Sequence, residues 1–278
     1  MTKRFRLAVS SIEKSNCVEH CVGAIVEAGT RGADLIVLPE EADIISGADP
    51  GQHALEAHPV FAAFRAAAIK AKVAIIASLS AKVDGGHANT GFLLDGTGKL
   101  VGLYRKKHPA PSEEAIVTTP ARGDPFPVFD LKGVKIAIAI CMDIHFPEMF
   151  RIYGLKGADV VCMPTMYLDY TGDMLEASEK ARAIDNQMYF ALSRYIEKPF
   201  LAGKSMGYAK VIAPDGRIIA STAHREGVAI AEFDPKWRMP FWVTEEPLRS
   251  MYPDLRVMFE RIRRPDLYGD VVQPKKKG

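Results

Sequence analysis

Short runs of apolar, mostly β-branched residues alternate along this chain with longer stretches whose apolar residues recur at helical spacing. The short runs predict buried strands, and the longer stretches predict helices whose one apolar face packs on a sheet. Predicted strands cover Leu7–Ile12, Gly32–Leu38, Val73–Leu79, Asn89–Leu94, Leu100–Tyr104, Ile136–Ile140, Gly157–Thr165 and Tyr189–Ser193; predicted helices cover residues 15–29, 59–71 and 177–186, and another begins at Pro147. Strands that alternate with helices are typical of an α/β protein.

The second half of the chain repeats the pattern of the first. Gly157–Thr165 has the same order of glycine, aspartate, apolar residues and proline as Gly32–Glu40, and the turn at Asp215-Gly216 repeats that at Asp95-Gly96. We therefore predict two similar strand–helix–strand halves that face each other, in four layers: helix, sheet, sheet, helix.

Proline becomes frequent from Pro235 onward, where the pattern is irregular apart from a basic helix near residues 254–263. No flexible linker interrupts the chain before that point. We predict a single domain over residues 1–278 with a C-terminal arm that begins at about residue 235.

The composition excludes several classes of protein. Hydrophobic residues make up 48% and charged residues 25% of the chain, as in ordinary globular proteins. The net charge of +2 gives no field that would attract nucleic acid, and no apolar run is long enough to span a membrane. Four cysteines without a secretion signal indicate free thiols in a reducing compartment, so we expect a cytoplasmic protein.

The strand Ile136–Ile140 ends in Cys141, and Pro147 then suits the first turn of a helix. This places Cys141 where the chain leaves the sheet, the edge at which ligands bind in open α/β folds. The alternative is a buried core cysteine, since free cysteines are among the most buried residues. This run alone does not separate the two readings.

Glu40 and Lys106 also follow apolar strands. The three groups form a chemical set: Cys141 as nucleophile, Glu40 as its base and Lys106 as a fixed cation for an oxyanion. Taken singly, Glu40 and Lys106 are also compatible with solvated surface positions.

Three motifs in this order resemble the nitrilase superfamily of carbon–nitrogen hydrolases: Leu38-Pro39-Glu40, Tyr104-Arg105-Lys106-Lys107-His108 and Ile140-Cys141-Met142-Asp143. The resemblance covers residues 5–235. It implies a four-layer α-β-β-α sandwich that dimerises, with Glu40 as general base, Lys106 as oxyanion cation and Cys141 as nucleophile. Lys107 fits less well, because the family pattern is Lys-x-His.

The resemblance also implies a second glutamate between the lysine and the cysteine. Glu113 and Glu114 are the candidates, and the spacing to Thr119-Pro120-Ala121 favours Glu114.

Two positions depart from the pattern of typical nitrilases. In typical nitrilases the catalytic cysteine is followed by Trp-Glu, whereas in this chain Cys141 is followed by Met142 and Asp143. This difference favours amide or carbamoyl substrates over nitriles. His145 stands where many relatives have arginine. A Cys141–His145 dyad is an alternative, but the complete Glu-Lys-Cys set makes His145 a pocket residue or a structural one.

Residues after the catalytic strands should line the substrate pocket, among them Met142, His145, Met166 and Tyr167. The loop from Met166 to Asp173 contains two aromatic residues and two carboxylates but no lysine or arginine, which favours a neutral or cationic substrate. Alternatively, Asp169 and Asp173 face water. A second alternative is that Arg182 or Arg194 reaches into the pocket and makes the charge of its lining positive.

The leading hypothesis is a hydrolase that cleaves a small amide or N-carbamoyl compound through a cysteine thioester and releases ammonia or an amine. The alternatives are a nitrilase with the same triad and a non-hydrolytic thiol sensor or binding scaffold. No nucleotide-binding glycine motif occurs, and Cys17, His20 and Cys21 lack a second pair of zinc ligands, so we expect neither cofactor nor metal. A small-molecule substrate and a homodimer, or a larger even-numbered homo-oligomer, are the expected partners.

Overall fold

The computed structural model describes residues 4–113, 115–166, 173–196, 208–243 and 250–273. Within these residues, twelve strands form two half-sheets of six strands each. The first half-sheet runs β5-β4-β3-β2-β1-β12 and the second β6-β7-β8-β9-β10-β11. Their bounds are β1 (Phe5–Glu13), β2 (Leu35–Val37), β3 (Ala74–Val83), β4 (Gly86–Leu94), β5 (Leu100–Arg105), β6 (Val128–Leu131), β7 (Val134–Ile138), β8 (Val160–Pro164), β9 (Tyr189–Ile196), β10 (Lys210–Ile212), β11 (Ile218–Ser221) and β12 (Gly227–Phe233).

The central strands of each half-sheet are parallel, β1-β2-β3 in the first and β7-β8-β9 in the second. The two half-sheets join where the ends of β1 and β9 pair in parallel, from Ser11 opposite Arg194 to Glu13 opposite Ile196. The carboxyl ends of the parallel strands in both halves therefore lie at the same edge, where ligands bind in α/β folds.

Five helices accompany the strands of this part of the described chain: α1 (Cys17–Thr30), α2 (Ala42–Ile45), α3 (Pro59–Ala71), α4 (Pro147–Leu155) and α5 (Asp173–Asn186). Alternate side chains of β2 enter different cores. Ile36 packs with residues of α1 and α3, whereas Leu35 and Val37 pack with residues of the second half-sheet. This alternation gives the layer order α1/α3, first sheet, second sheet, α4/α5, and confirms the predicted four-layer α-β-β-α sandwich.

The sequence pattern located the long elements better than the short ones. Helix α3 begins at Pro59 and the β4–β5 hairpin turns at Asp95-Gly96, as predicted. The pattern did not predict β6 or β12, and it indicated β10 and β11 only through the turn at Asp215-Gly216 that joins them. These strands are short or lie at sheet edges, and most side chains of β12 are only half buried, so their hydrophobic alternation is weak.

Residues 238–278 form a separate compact unit that begins close to the predicted start of the arm. It contains an unpredicted hairpin of β13 (Phe241–Val243) and β14 (Ser250–Tyr252), followed by α6 (Leu255–Ile262) within the predicted basic helix. Asp254 caps α6 by accepting a hydrogen bond of 2.8 Å from the N–H of Arg256. Across the described residues of both units, we find no helix with the length and apolar character needed to cross a bilayer.

Candidate active site

Glu40, Lys106 and Cys141 converge at the carboxyl-end edge of the sheets. Glu40 follows β2, Lys106 follows β5 directly, and Cys141 begins a turn of 3-10 helix three residues after β7. Their residues are 0%, 1% and 6% exposed, respectively. The structure thus brings together the three side chains that the sequence motifs single out.

The Glu40 carboxylate is held on both of its oxygens. Oε1 accepts hydrogen bonds from Lys106 Nζ and from Asn89 Nδ2, each at 2.8 Å. Oε2 accepts the N–H of Met166 at 2.9 Å, and the Cys141 thiol interacts with this carboxylate and lowers its pKa. The Glu40 carboxylate is therefore fixed by donors from three other segments of the chain and lies next to the thiol.

Lys106 Nζ bridges two glutamates. It donates to Glu40 Oε1 at 2.8 Å and to Glu113 Oε2 at 2.6 Å. Glu113 ends a 3-10 turn and also accepts the N–H of Ala110 at 2.7 Å. Of the two candidates for the second glutamate, Glu113 is therefore the one seen in contact with Lys106. Glu114 itself lies outside the described residues.

Lys107 points elsewhere. Its Nζ donates to the carbonyl of Thr118, and burial lowers the pKa of Lys107 to about 8. Of the two adjacent lysines, only Lys106 contacts the Glu40 carboxylate in the described structure.

Cys141 adopts a left-handed backbone conformation with φ of 45°. Residues other than glycine rarely adopt this conformation, because Cβ crowds the following carbonyl. The sharp corner places the sulfur beside the Glu40 carboxylate, and Thr165 and the backbone of Met166 are also near enough to influence the sulfur. Strain of this kind is concentrated at functional sites.

Asp143 ties the cysteine corner to the lysine loop. Its Oδ2 accepts the N–H of Ile140 at 2.8 Å and the hydroxyl of Tyr104 at 2.7 Å. Its Oδ1 lies 2.7 Å from Nδ1 of His108. Because Tyr104 and His108 flank Lys106 in sequence, one buried carboxylate fixes the relative position of Lys106 and Cys141.

A second tie comes from α5. The Arg182 guanidinium donates two hydrogen bonds, at 2.9 and 3.1 Å, to the carbonyl of Ile144. Ile144 belongs to the 3-10 turn that starts at Cys141. Arg182 therefore supports the cysteine corner from behind.

Burial and charge set the protonation states of the three central groups. Burial raises the pKa of the Cys141 thiol, and the nearby charge of Glu40 raises it further, so the resting sulfur is a thiol. Burial alone would lower the pKa of Lys106, but the negative charges of Glu40 and Glu113 outweigh it and raise that pKa, so the ammonium persists. Burial also raises the pKa of Glu40, while the charge of Lys106 opposes the rise.

The residues predicted to line the pocket differ in how far they are buried. Met142 and Met166 are half-buried, and Met166 contacts Glu40 through its backbone. His145 is exposed, and the described partners of the Cys141 thiol are Glu40, Thr165 and Met166 instead. Tyr167 and residues 168–172, including Asp169, lie outside the described residues, as does the side chain of Asp173.

Among the residues that the structure describes, one group of carboxyl side chains is spaced closely enough to bind a cation. Oxygen atoms of Glu40, Glu41 and Glu113 all lie within 4.8 Å of one another. The Lys106 ammonium already donates to Glu40 and Glu113. The chain thus supplies a positive charge to this cluster from its own residues.

Sequence reasoning assigned no role to several residues of the site. The contacts of Asn89 with Glu40 and of Thr165 with Cys141 depend on the fold. Asp143 departs from the nitrilase pattern, and in the structure it is a buried acceptor of several hydrogen bonds. Glu41 gave no signal beyond its position beside Glu40.

Comparison with known proteins gives a consistent result. The chain is 29% identical to the chloroplastic omega-amidase of Arabidopsis thaliana over 95% of this chain and 72% of that protein. It is 32% identical to a hydrolase of Pseudomonas protegens over 86% of this chain and 81% of the relative. An amidase of the nitrilase superfamily from Nesterenkonia AN1, solved as a mutant, is 22% identical with a TM-score of 0.75, covering 98% of each chain.

A sequence profile described as carbon-nitrogen hydrolase matches residues 7–238. This range spans both half-sheets and every residue of the site described above. The match confirms the resemblance that the three motifs indicate, and the chain belongs to the carbon–nitrogen hydrolase family.

Proposed function

We propose that the protein hydrolyses the carbon–nitrogen bond of a small amide or N-carbamoyl compound through a thioester on Cys141. The observation that supports this most directly is the Lys106 ammonium, which bridges Glu40 and Glu113 beside a buried thiol. A nucleophile, a base and an oxyanion cation are thereby available within one closed site.

The first step follows from the protonation states. The resting thiol is protonated, so the Cys141 sulfur attacks the carbonyl carbon as Glu40 takes its proton. Lys106 has three N–H donors, and two of them bind Glu40 and Glu113. The third is available to the carbonyl oxygen as that oxygen becomes negative.

Collapse of the tetrahedral intermediate breaks the carbon–nitrogen bond. The protonated Glu40 gives its proton to the leaving nitrogen, which departs as ammonia or an amine and leaves the acyl group on Cys141. Glu40, again a carboxylate, then takes a proton from water, whose oxygen attacks the thioester. Collapse of the second tetrahedral intermediate breaks the carbon–sulfur bond, and Glu40 returns its proton to the Cys141 sulfur as the carboxylic acid is released. In this cycle we assign Glu113, rather than Glu114, to orient Lys106.

We propose amides over nitriles as substrates. The curated relatives that match most of this chain include omega-amidases. Asp143 also supports this choice, because its carboxylate is occupied by Ile140, Tyr104 and His108 and is not available to the reacting group. For matched amide and nitrile pairs, we expect kcat/KM to favour the amide. A nitrile favoured by about tenfold, or 1.4 kcal/mol in transition-state binding, would overturn the proposal.

The thiol sensor and the binding scaffold fit the site less well. A sensor needs an accessible cysteine with a lowered pKa. Cys141 is instead 6% exposed, and burial raises its pKa. Neither alternative explains why a buried lysine and two glutamates surround the thiol.

Trapping of the acyl-enzyme tests the proposed function. The protein is mixed with a small primary amide, quenched in acid during turnover and digested for mass spectrometry. We expect the mass of the acyl group on the peptide that contains Cys141. The matched control is Cys162, a buried thiol on the neighbouring strand β8. An adduct on Cys17, Cys21 or Cys162, or ammonia release without an adduct on Cys141, would contradict the proposed role of Cys141.

We also propose that the chain forms a homodimer or a larger even-numbered homo-oligomer. Large apolar side chains are exposed on α4 and α5, among them Leu155, Met174 and Ile184, and such side chains on two adjacent helices support a protein contact. Light scattering of the active protein should report an even-numbered assembly. A stable, active monomer would refute this.

A reducing, cytoplasmic setting completes the proposal. All four cysteines are free and buried, and the mechanism requires Cys141 to remain a thiol. Activity should therefore need no reductive activation after cytoplasmic expression. Recovery of active protein only from an oxidising compartment would contradict the assignment.

A further inference from the structure

Glu41 is a buried carboxylic acid beside the proposed catalytic residues that the mechanism above does not use. The residue is 6% exposed, and one of its carboxyl oxygens lies within 4.8 Å of oxygens of Glu40 and Glu113. Its backbone N–H donates to Ser78. Its side chain makes no hydrogen bond or ion pair with any residue in the described structure. Such a group is costly to bury unless something binds it.

The two neighbouring glutamates already accept hydrogen bonds on both carboxyl oxygens, whereas the Glu41 side chain accepts none in the described structure. Glu40 accepts hydrogen bonds from Lys106, Asn89 and Met166. Glu113 accepts them from Lys106, Asn89 and Ala110. Of the three clustered carboxyl groups, Glu41 is therefore the one whose two oxygens both remain without a protein donor in the described structure.

The charge around Glu41 favours a cation. Burial raises the pKa of Glu41 well above its ordinary value, and the negative charges of Glu40, Glu113 and Asp43 raise it further, against the opposing charge of Lys106. A nearby positive charge lowers the pKa of a carboxyl group, so a substrate ammonium group would favour the carboxylate form of Glu41 and form an ion pair with it, whereas a substrate carboxylate would meet three acidic side chains.

We propose that Glu41 is a specificity-determining residue that selects amides with a positively charged amine near the scissile carbonyl. This inference rests on the proposed amide hydrolysis and names the substrate class within it. Glu41 itself takes no part in bond making or breaking.

Three amides that differ only in their terminal group test the proposal: β-alaninamide (cationic), butanamide (neutral) and succinamate (anionic). We measure kcat/KM for each with the wild-type protein, Glu41→Gln and Glu41→Asp. The wild type should prefer β-alaninamide over butanamide by at least about tenfold, with succinamate the poorest. Glu41→Gln should reduce that preference at least fivefold, and Glu41→Asp should retain part of it. The control is Glu56→Gln, an exposed carboxylate in a 3-10 turn, which should leave the preference unchanged.

Calorimetric titration of the amides into Cys141→Ala, with and without Glu41→Gln, measures the same preference without turnover. If the wild type hydrolyses all three amides but Glu41→Gln keeps the wild-type preference, the role of Glu41 is refuted while amide hydrolysis stands. If no amide is hydrolysed but Cys141→Ala binds β-alaninamide through Glu41, the proposed function fails and the ammonium site stands. Equal affinity for the three amides would refute the inference even if Glu41→Gln failed to fold.

Discussion

Two strand-to-helix corners build this site, one after β2 and one after β7, and they differ in how they hold the functional side chain. Each corner contains a residue with left-handed backbone, Glu41 with φ of 46° and Cys141 with φ of 45°. In the first corner the proposed base, Glu40, precedes the strained residue. In the second corner the proposed nucleophile, Cys141, is itself the strained residue.

The difference corresponds to what each group has to do. Glu40 must stay in place while it gains and loses a proton, and hydrogen bonds from Lys106, Asn89 and Met166 fix it. Cys141 must form and break a covalent bond, so its sulfur cannot be fully enclosed by fixed donors. Its position is set through the backbone instead. We infer that the base corner is held by side-chain contacts and the nucleophile corner by main-chain geometry.

The largest expected effect is at the nucleophile corner. Cys141→Ala removes the atom that forms the thioester, so we expect turnover to fall by at least about 10⁴-fold. Because Ala fits the same corner, thermal unfolding should change little. The comparison variant Cys162→Ala, in β8, should retain most activity. Substantial turnover by Cys141→Ala would remove the nucleophile assignment.

The base corner should respond almost as strongly, but for a different reason. Glu40→Gln removes the proton acceptor and replaces an oxygen with an amide nitrogen that cannot accept hydrogen bonds from Lys106 or Met166. We expect kcat/KM to fall by about 10²- to 10⁴-fold in steady-state assays, the usual range for loss of a general base. A Glu40→Gln variant within tenfold of wild type would show that another group takes the thiol proton.

Glu113→Gln should give a smaller effect with a distinctive pH signature. The Glu40 carboxylate must be ionised to act as base, so kcat/KM should rise with pH through the pKa of Glu40. Burial raises that pKa, Lys106 opposes the rise, and the charge of Glu113 adds to it. Removing the charge of Glu113 should therefore shift the acid limb of the profile to lower pH, while looser positioning of Lys106 lowers kcat by about tenfold or more.

The adjacent glutamate provides the matched comparison for this prediction. Glu114→Gln is assayed in the same pH series. If Glu114→Gln shifts the acid limb and Glu113→Gln does not, the second glutamate is Glu114, as the motif spacing favours.

Sequence reasoning predicted the fold class and located Glu40, Lys106 and Cys141, because each follows a strongly apolar strand and belongs to an ordered motif. It could not choose between Glu113 and Glu114. Their loop contains no hydrophobic period, and the contact with Lys106 depends on a 3-10 turn that begins at Pro111.

The roles of Asp143 and Arg182 were out of reach for a related reason. Both act on other segments of the chain, Asp143 on Tyr104 and His108, and Arg182 on the carbonyl of Ile144. Contacts of this kind depend on how strands and helices pack, and a local pattern does not encode them. The left-handed backbone at Cys141 is equally invisible, since a glycine would be expected at such a position.

The smallest effect tests whether the nucleophile corner is strained. At a left-handed position, alanine carries the same Cβ crowding as cysteine, and glycine carries none. We therefore expect Cys141→Gly to unfold in urea with a free energy about 0.5–1 kcal/mol higher than Cys141→Ala, although glycine usually destabilises folded proteins. The control is Ala62→Gly on the exposed face of α3, which should lower the free energy of unfolding by about 1 kcal/mol. If Cys141→Gly is less stable than Cys141→Ala, the backbone at this corner carries no strain, and side-chain contacts must hold both corners alike.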